Sequence, residues 1–203
     1  MRESYKIQLC NEDGGLIDAA LLEGIAEGNL RDYAEEWQPI LQRFRVEATA
    51  RRARGEDCSE GQDAHWDWAR LAELAMGNLS VRQFVIEADG MTQGLMQVNL
   101  VQRSRIEPGQ HLLYVDRLAA APWNRGSFGQ KKRLRPVGLL LMRHAIGTSL
   151  VEGFDGRVGL HSLPGAVRLY QKLSMKSFGP DADHQRLEYF ELPADKATNF
   201  SIN

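Results

Sequence analysis

Leu112-Leu113-Tyr114-Val115-Asp116-Arg117-Leu118-Ala119-Ala120 opens the stretch on which the reading of the fold turns. Its apolar run reads as a buried strand. A loop follows, Pro122-Trp123-Asn124-Arg125-Gly126, then a basic patch of Lys131, Lys132, Arg133 and Arg135. The chain turns into a helix at Pro136-Val137-Gly138. A second short strand is expected at Arg157-Val158-Gly159-Leu160-His161, and a second helix at Ala166-Val167-Arg168-Leu169-Tyr170. Strand, cationic loop, glycine at a helix start, strand, helix: this order suits a phosphate-bearing ligand held between two strands.

On either side of this stretch the pattern is mixed. Tyr5 to Cys10 alternates weakly, as a short edge strand would, and Asn11-Glu12-Asp13-Gly14-Gly15 signals a turn. Leu16, Ala19, Ala20 and Leu22 predict a helix ended by Gly28-Asn29. Tyr33, Trp37, Ile40, Leu41 and Phe44 predict a second helix from Leu30 to Arg54, with a kink or break at Pro39. Gly55 to Gln62 is polar and reads as a hinge, and Asp63 to Ala75 as a third helix. Gln83–Glu87 and Gly94–Leu100, joined through Ala88-Asp89-Gly90, read as a hairpin. Arg103 to Gln110 and Pro180 to Gln185 are loops, Ser174 to Gly179 bends into a short strand, and Leu187 to Leu192 alternates as a final strand. Pro193 to Asn203 reads as a loose tail.

The bulk numbers set bounds. The chain has 203 residues, 43% hydrophobic and 26% charged, with a formal net charge of −2. It is long enough for one sizeable domain, and it has no global field favouring nucleic acid or an anionic membrane. The arginine-rich end Arg51-Arg52-Ala53-Arg54 reads as a solvated helix terminus. Cys10 and Cys58 give neither a disulfide framework nor a zinc knuckle. The N-terminus lacks the apolar core of a signal peptide, no run could span a bilayer, and the expected location is cytoplasmic. The five histidines, His65, His111, His144, His161 and His184, have no metal-ligand spacing, so no metal is expected. No Gly-x-Ser-x-Gly elbow is present. Gly126-Ser127-Phe128-Gly129-Gln130-Lys131 lacks the Gly-Lys-Ser/Thr ending of a nucleotide loop.

From about residue 82 to 192 the chain resembles the GNAT superfamily of acyl-CoA-dependent N-acyltransferases. Leu118-Ala119-Ala120-Ala121-Pro122 resembles the end of that family's fourth strand, and Arg133-Leu134-Arg135-Pro136-Val137-Gly138 its Gln/Arg-x-x-Gly-x-Gly/Ala pyrophosphate loop. Gly156 to Ser162 resembles its fifth strand. Ala166-Val167-Arg168-Leu169-Tyr170-Gln171-Lys172-Leu173 resembles its Ala-x-x-Phe-Tyr-x-Lys helix, loosely followed by Met175 to Gly179. Two features depart from the pattern. Pro136 stands where the first loop glycine is usual and removes a backbone donor, and the segment Gly126 to Lys132 looks inserted.

The resemblance implies an α/β (α+β) fold: a mixed, mostly antiparallel sheet flanked by helices. An N-terminal helical part (1–80), an acyl-CoA-binding core (81–192) and a tail (193–203) would make up the chain. It implies N-acyl transfer, most simply acetyl transfer, from acyl-CoA to an amine, by direct attack in a ternary complex. The co-substrate would be acetyl-CoA or another acyl-CoA, with no metal, no membrane and no nucleic acid as partner; a homodimer is left open. Tyr170 would be the acid that protonates the CoA thiolate, and Asp116 the base, with Glu87 or water as rivals. Leu118, Ala119 and Ala120 would meet pantetheine through their backbone, and Ser162 would approach it. The loop Arg133 to Gly138, with Arg133, Arg135, Val137 and Gly138, would hold the diphosphate, and Arg125 and Leu139 would also bind the cofactor. His161 reads as structural. The alternative is a GNAT-like module without catalysis, binding CoA or a protein partner.

Overall fold

The computed structural model describes residues 2–126 and 130–200. Part of the Gly126–Lys132 segment and the last three residues of the tail lie outside them. Nine strands form a mixed, mostly antiparallel sheet flanked by helices: β1 (Ser4–Asn11), β2 (Leu16–Glu23), β3 (Val81–Ala88), β4 (Met91–Arg103), β5 (His111–Ala120), β6 (Leu134–Arg135), β7 (Val158–Ser162), β8 (Lys176–Pro180) and β9 (Glu188–Leu192). The helices are α1 (Glu27–Asp32), α2 (Gln38–Ala53), α3 (Trp68–Ala75), α4 (Val137–Val151), α5 (Val167–Lys172) and α6 (Ala194–Ala197). None is long and apolar enough to cross a membrane among the described residues.

The chain packs as two compact units whose segments interleave along the sequence. The first comprises Met1–Asn78, Arg82–Met96 and Leu118–Gly138; the second comprises Leu79–Val81, Gln97–Arg117 and Leu139–Asn203.

In the first unit the strand order is β6-β1-β2-β3-β4. The helix expected from Leu16 is instead strand β2. Asn11 closes the turn, its Oδ1 accepting from Asp13 and Gly15, and β1 and β2 then pair in register from Cys10↔Leu16 to Ser4↔Leu22. Ala19 and Leu21 are buried while Asp18 is exposed, a period-two pattern that overrides the helix preference of Ala19-Ala20. β1 is not an edge, because β6 pairs with its end through Cys10↔Arg135. Gly28 and Asn29 begin α1 rather than end a helix. A π-helical turn, Tyr33–Trp37, joins α1 to α2, and Pro39 sits in the first turn of α2, where its missing N–H is not needed.

The first unit's apolar cluster holds Tyr33, Trp37, Leu41, Trp68, Val85, Leu95 and Ala119. Thr92 ties α1 to the sheet: its N–H and hydroxyl both donate to Asp32 at 2.8 Å, and its carbonyl accepts from Trp37 at 3.1 Å. The loop read as a hinge is fastened to α2. Gly61, at φ +68°, lies so close that a Cβ there would come within 2.7 Å of the Arg45 backbone nitrogen, and Arg52 donates to the Cys58 carbonyl. Helix α3 starts at Trp68, capped by Asp67, five residues later than the apolar pattern suggests.

In the second unit the order is β5-β7-β9-β8. All ladders with a resolved register are antiparallel except β5 with β7. The tail is not loose throughout: α6 buries Ala197, whose Cβ closes over Gly156.

Candidate active site

The second unit contains a fork. β5 and β7 run parallel and pair over three residues, Leu113↔Val158, Tyr114↔Gly159 and Val115↔Leu160. Among the described residues the ladder stops there, although β5 runs on to Ala120 and β7 to Ser162. β7 stays zipped to β9 along its whole length, from Val158↔Leu192 to Ser162↔Glu188. The opening is therefore on the β5 side, and Asp116 and His161 are the first residues past the last pair. The apolar run of β5 ends at the same point, where Val115 gives way to the half-buried Asp116.

Side chains alternate along strands, so Tyr114, Asp116, Gly159 and His161 share one face. A hydrogen-bonded chain crosses that face. The Tyr114 hydroxyl and His161 Nδ1 are 2.6 Å apart, and His161 Nε2 and Asp181 Oδ2 are 3.0 Å apart. The tautomer that satisfies both bonds has the phenol donating to Nδ1 and Nε2–H donating to the carboxylate. Arg105 holds the same Asp181 oxygen at 2.5 Å and lies over the Tyr189 ring at 4.0 Å. His184 stacks on His161 with centroids 3.8 Å apart.

His161, Asp181 and His184 bring one ligand atom each within 4.8 Å of one another. Their geometry does not suit a metal, however. The imidazole planes are within 11° of parallel, so the ring lone pairs do not converge, and Arg105 already neutralises the carboxylate.

The environment moves each group's titration. Arg105 and His161 hold the Asp181 carboxyl far below its usual range. Burial pulls His161 down, opposed by its bond to Asp181. Burial, with the Asp116 charge behind it, pushes the Tyr114 phenol up to about 12. Burial also raises Asp116, against a hydrogen bond from Gln97 and the charge of Arg117.

Tyr170 and Ser162 belong to the same unit. Tyr170 on α5 is 5% exposed, its ring 5.8 Å from Phe190, and burial raises its phenol steeply. Phe190 and Tyr189 are adjacent on β9 and point to opposite faces, so Tyr170 and His161 lie on opposite faces of that strand. Ser162 is buried and donates to the Leu163 carbonyl at 2.8 Å.

The remaining expected residues lie in the first unit or at the start of α4. Ala119 is buried in the apolar cluster, and Leu118 and Ala120 are half-buried. The contacts of Arg125 are internal: Nε donates to the Ala120 carbonyl at 2.7 Å, and the guanidinium grips both oxygens of Asp63 at 2.7 Å. It fastens the strand end to the 55–67 loop. Arg133 is exposed, with its guanidinium 5.6 Å from the Trp123 ring. Lys131, Arg133 and Arg43 line, with Trp123, Phe44 and Glu12, a cavity of about 480 Å³. Arg135 is exposed on β6. Val137 is buried, Gly138 and Leu139 are half-buried, and the first turn of α4 carries no acidic residue. Glu87, the rival base, accepts from Asn29 at 2.7 Å and pairs with Arg2 at 3.8 Å.

No protein-family model matches the chain, and no curated protein matches it. Solved structures do. The GNAT domain of S. lividans PAT is 8% identical over 92% of this chain and 96% of its own, with a TM-score of 0.54. A GNAT-family protein from Desulfovibrio desulfuricans is 12% identical over 87% and 99%, with a TM-score of 0.52. A spermidine N-acetyltransferase SpeG chimera from Vibrio cholerae and hSSAT is 15% identical over 88% and 98%, also with a TM-score of 0.52. The fold is that of the GNAT superfamily.

Proposed function

We propose that this protein transfers an acyl group, in the simplest case acetyl, from acyl-CoA to an amine. The observation that carries the reading is the early end of the β5–β7 ladder, which leaves strand edges parted just past Val115 and Leu160. Parted edges offer N–H and C=O groups to an extended amide chain such as pantetheine, and an N–H to a thioester oxygen as it gains charge. The cationic loop Arg133–Gly138, leading into the positive end of α4, has the charge and glycine that a diphosphate needs. Arg125 is better read as the clamp on Ala120 than as a phosphate ligand.

Asp116, at the mouth, draws in the ammonium and takes its first proton. Burial raises its pKa and so strengthens it as a base. The neutral amine attacks the thioester carbon, and the C–S bond breaks on collapse of the adduct. Tyr170 gives the thiolate its proton; a phenol, titrating at about pH 10 or above, carries that proton at neutral pH. Tyr170→Phe lowers kcat about 10²-fold while calorimetry finds acetyl-CoA affinity retained; unchanged turnover removes Tyr170 from the mechanism.

Calorimetry with acetyl-CoA, then thiol release on adding spermidine and other primary amines, tests the reading as a whole. The alternative, a module that binds CoA without turning it over, draws support from Pro136, which offers no N–H to the loop. It predicts binding with no amine-dependent thiol release.

A further inference from the structure

An ammonium nitrogen that becomes an amide sheds two protons, one before attack and one as the adduct collapses. Asp116 accounts for the first. The second needs another acceptor, because Asp116 is then already protonated. We infer that the second proton leaves through the hydroxyl of Tyr114 to His161, with Asp181 as the positioning residue that holds the imidazole. This inference rests on the acyl-transfer reading and extends it.

The geometry supplies each link. Tyr114 lies two residues before Asp116 on the same face of β5, and its hydroxyl is 2.6 Å from His161 Nδ1. Both nitrogens of His161 are engaged, so a proton enters the chain through the phenol oxygen, which accepts one as it donates its own. An N–H bond of the adduct breaks as a new O–H bond forms on Tyr114. The phenol's original O–H bond breaks as that hydrogen moves to Nδ1. The resulting imidazolium faces Asp181 at 3.0 Å. The groups around it are Tyr114 and Asp116 on β5, Arg105 after β4, Tyr189 on β9, and Asp181 and His184 between β8 and β9. Asp181 is the nearest countercharge; Arg105 and His184 oppose the imidazolium and favour its return to neutrality after release of the product.

Three variants of the full chain test this by thiol release with acetyl-CoA, using spermidine and a set of primary amines as acceptor probes. Tyr114→Phe, which keeps the ring and removes the relay oxygen, lowers kcat about 10²-fold with KM for acetyl-CoA and the melting curve unchanged. His161→Gln does the same. Asp181→Asn leaves Nε2–H an acceptor but removes the charge that raises the imidazole pKa, so the rising limb of the pH profile moves to lower pH; a purely structural Asp181 leaves that limb in place. Nitrogen NMR of the resting protein gives a readout independent of turnover: His161 carries its proton on Nε2, and a proton on Nδ1 overturns the relay. Wild-type kcat and pH profile in both Tyr114→Phe and His161→Gln overturn the relay and leave acyl transfer standing. A wild-type chain that binds no acetyl-CoA overturns both.

Discussion

Asp116, the proposed base, illustrates how a site carboxylate would be set against stability. Its folded pKa is raised by burial, above an unfolded value of about 3.9. A group raised in this way contributes stability below its unfolded pKa and loses it as pH rises through the folded value. At neutral pH the carboxylate is therefore ionised in a place that disfavours the charge. Asp116→Asn keeps the shape and removes the charge. The variant is expected to melt higher than wild type at pH 7, with the gain vanishing near pH 3, and to lose about 10²-fold in kcat. A lower melting temperature at pH 7 would mean that the carboxylate is stabilised by a cation such as Arg117, and its assignment as base would then fail. Asp116 can be proposed from the sequence by its place on the strand, two residues ahead of Leu118. It could not reach Tyr114–His161–Asp181, whose members lie 47 and 20 residues apart and meet only through strand pairing and a loop. The lone polar residue His161 in Val158-Gly159-Leu160-His161 was the available signal, and a core histidine gives the same signal.

Among the elements, those with strong local chemistry were legible. Asp89 and Gly90 both have positive φ, 53° and 72°, as the tight turn between β3 and β4 requires. β2 was not legible, because Leu16, Ala19, Ala20 and Leu22 fit a helical face as well as a strand, and only pairing with β1 and β3 decides between them. β7 carries a further constraint that its sequence conceals. A Cβ on Gly159 would come within 2.6 Å of the Tyr189 hydroxyl and 3.1 Å of Leu112. The Tyr189 ring cannot easily yield: Arg105 lies over it, its hydroxyl donates to Glu191 at 2.9 Å, and His161 packs 4.9 Å away. Gly159→Ala is expected to destabilise by about 1–3 kcal/mol, as overpacking does, and to lower turnover by pushing Tyr189 against His161. Urea unfolding tests this, and Tyr189→Phe combined with Gly159→Ala should recover part of the loss, because the clashing oxygen is gone. Strict additivity of the two changes would mean that the hydroxyl is not the obstacle.

Across the whole molecule, the resemblance reached the GNAT fold through the order of strand, loop and helix. The chain's response to alkali follows from chemistry that this order does not display. Tyr33 and Tyr114 have phenols pushed up to about 12, Tyr33 chiefly by burial, and burial raises Tyr170 and Tyr189 further still. In the unfolded chain all four titrate near pH 10. Above that pH the unfolded state binds fewer protons than the native state, so stability falls as pH rises, by about 1.4 kcal/mol per pH unit for each phenol held neutral. The contribution is complete below about pH 10 and is lost progressively up to the folded values. Of the five tyrosines only Tyr5, 44% exposed, is open enough to ionise in the native protein. Urea midpoints are therefore expected to drop steeply above pH 10, and phenolate absorbance to rise by one tyrosine before unfolding and by the other four with it. Several phenolates appearing while the native circular dichroism persists would mean that these rings are not sealed from water, and the burial assigned to Tyr33, Tyr114, Tyr170 and Tyr189 would fail.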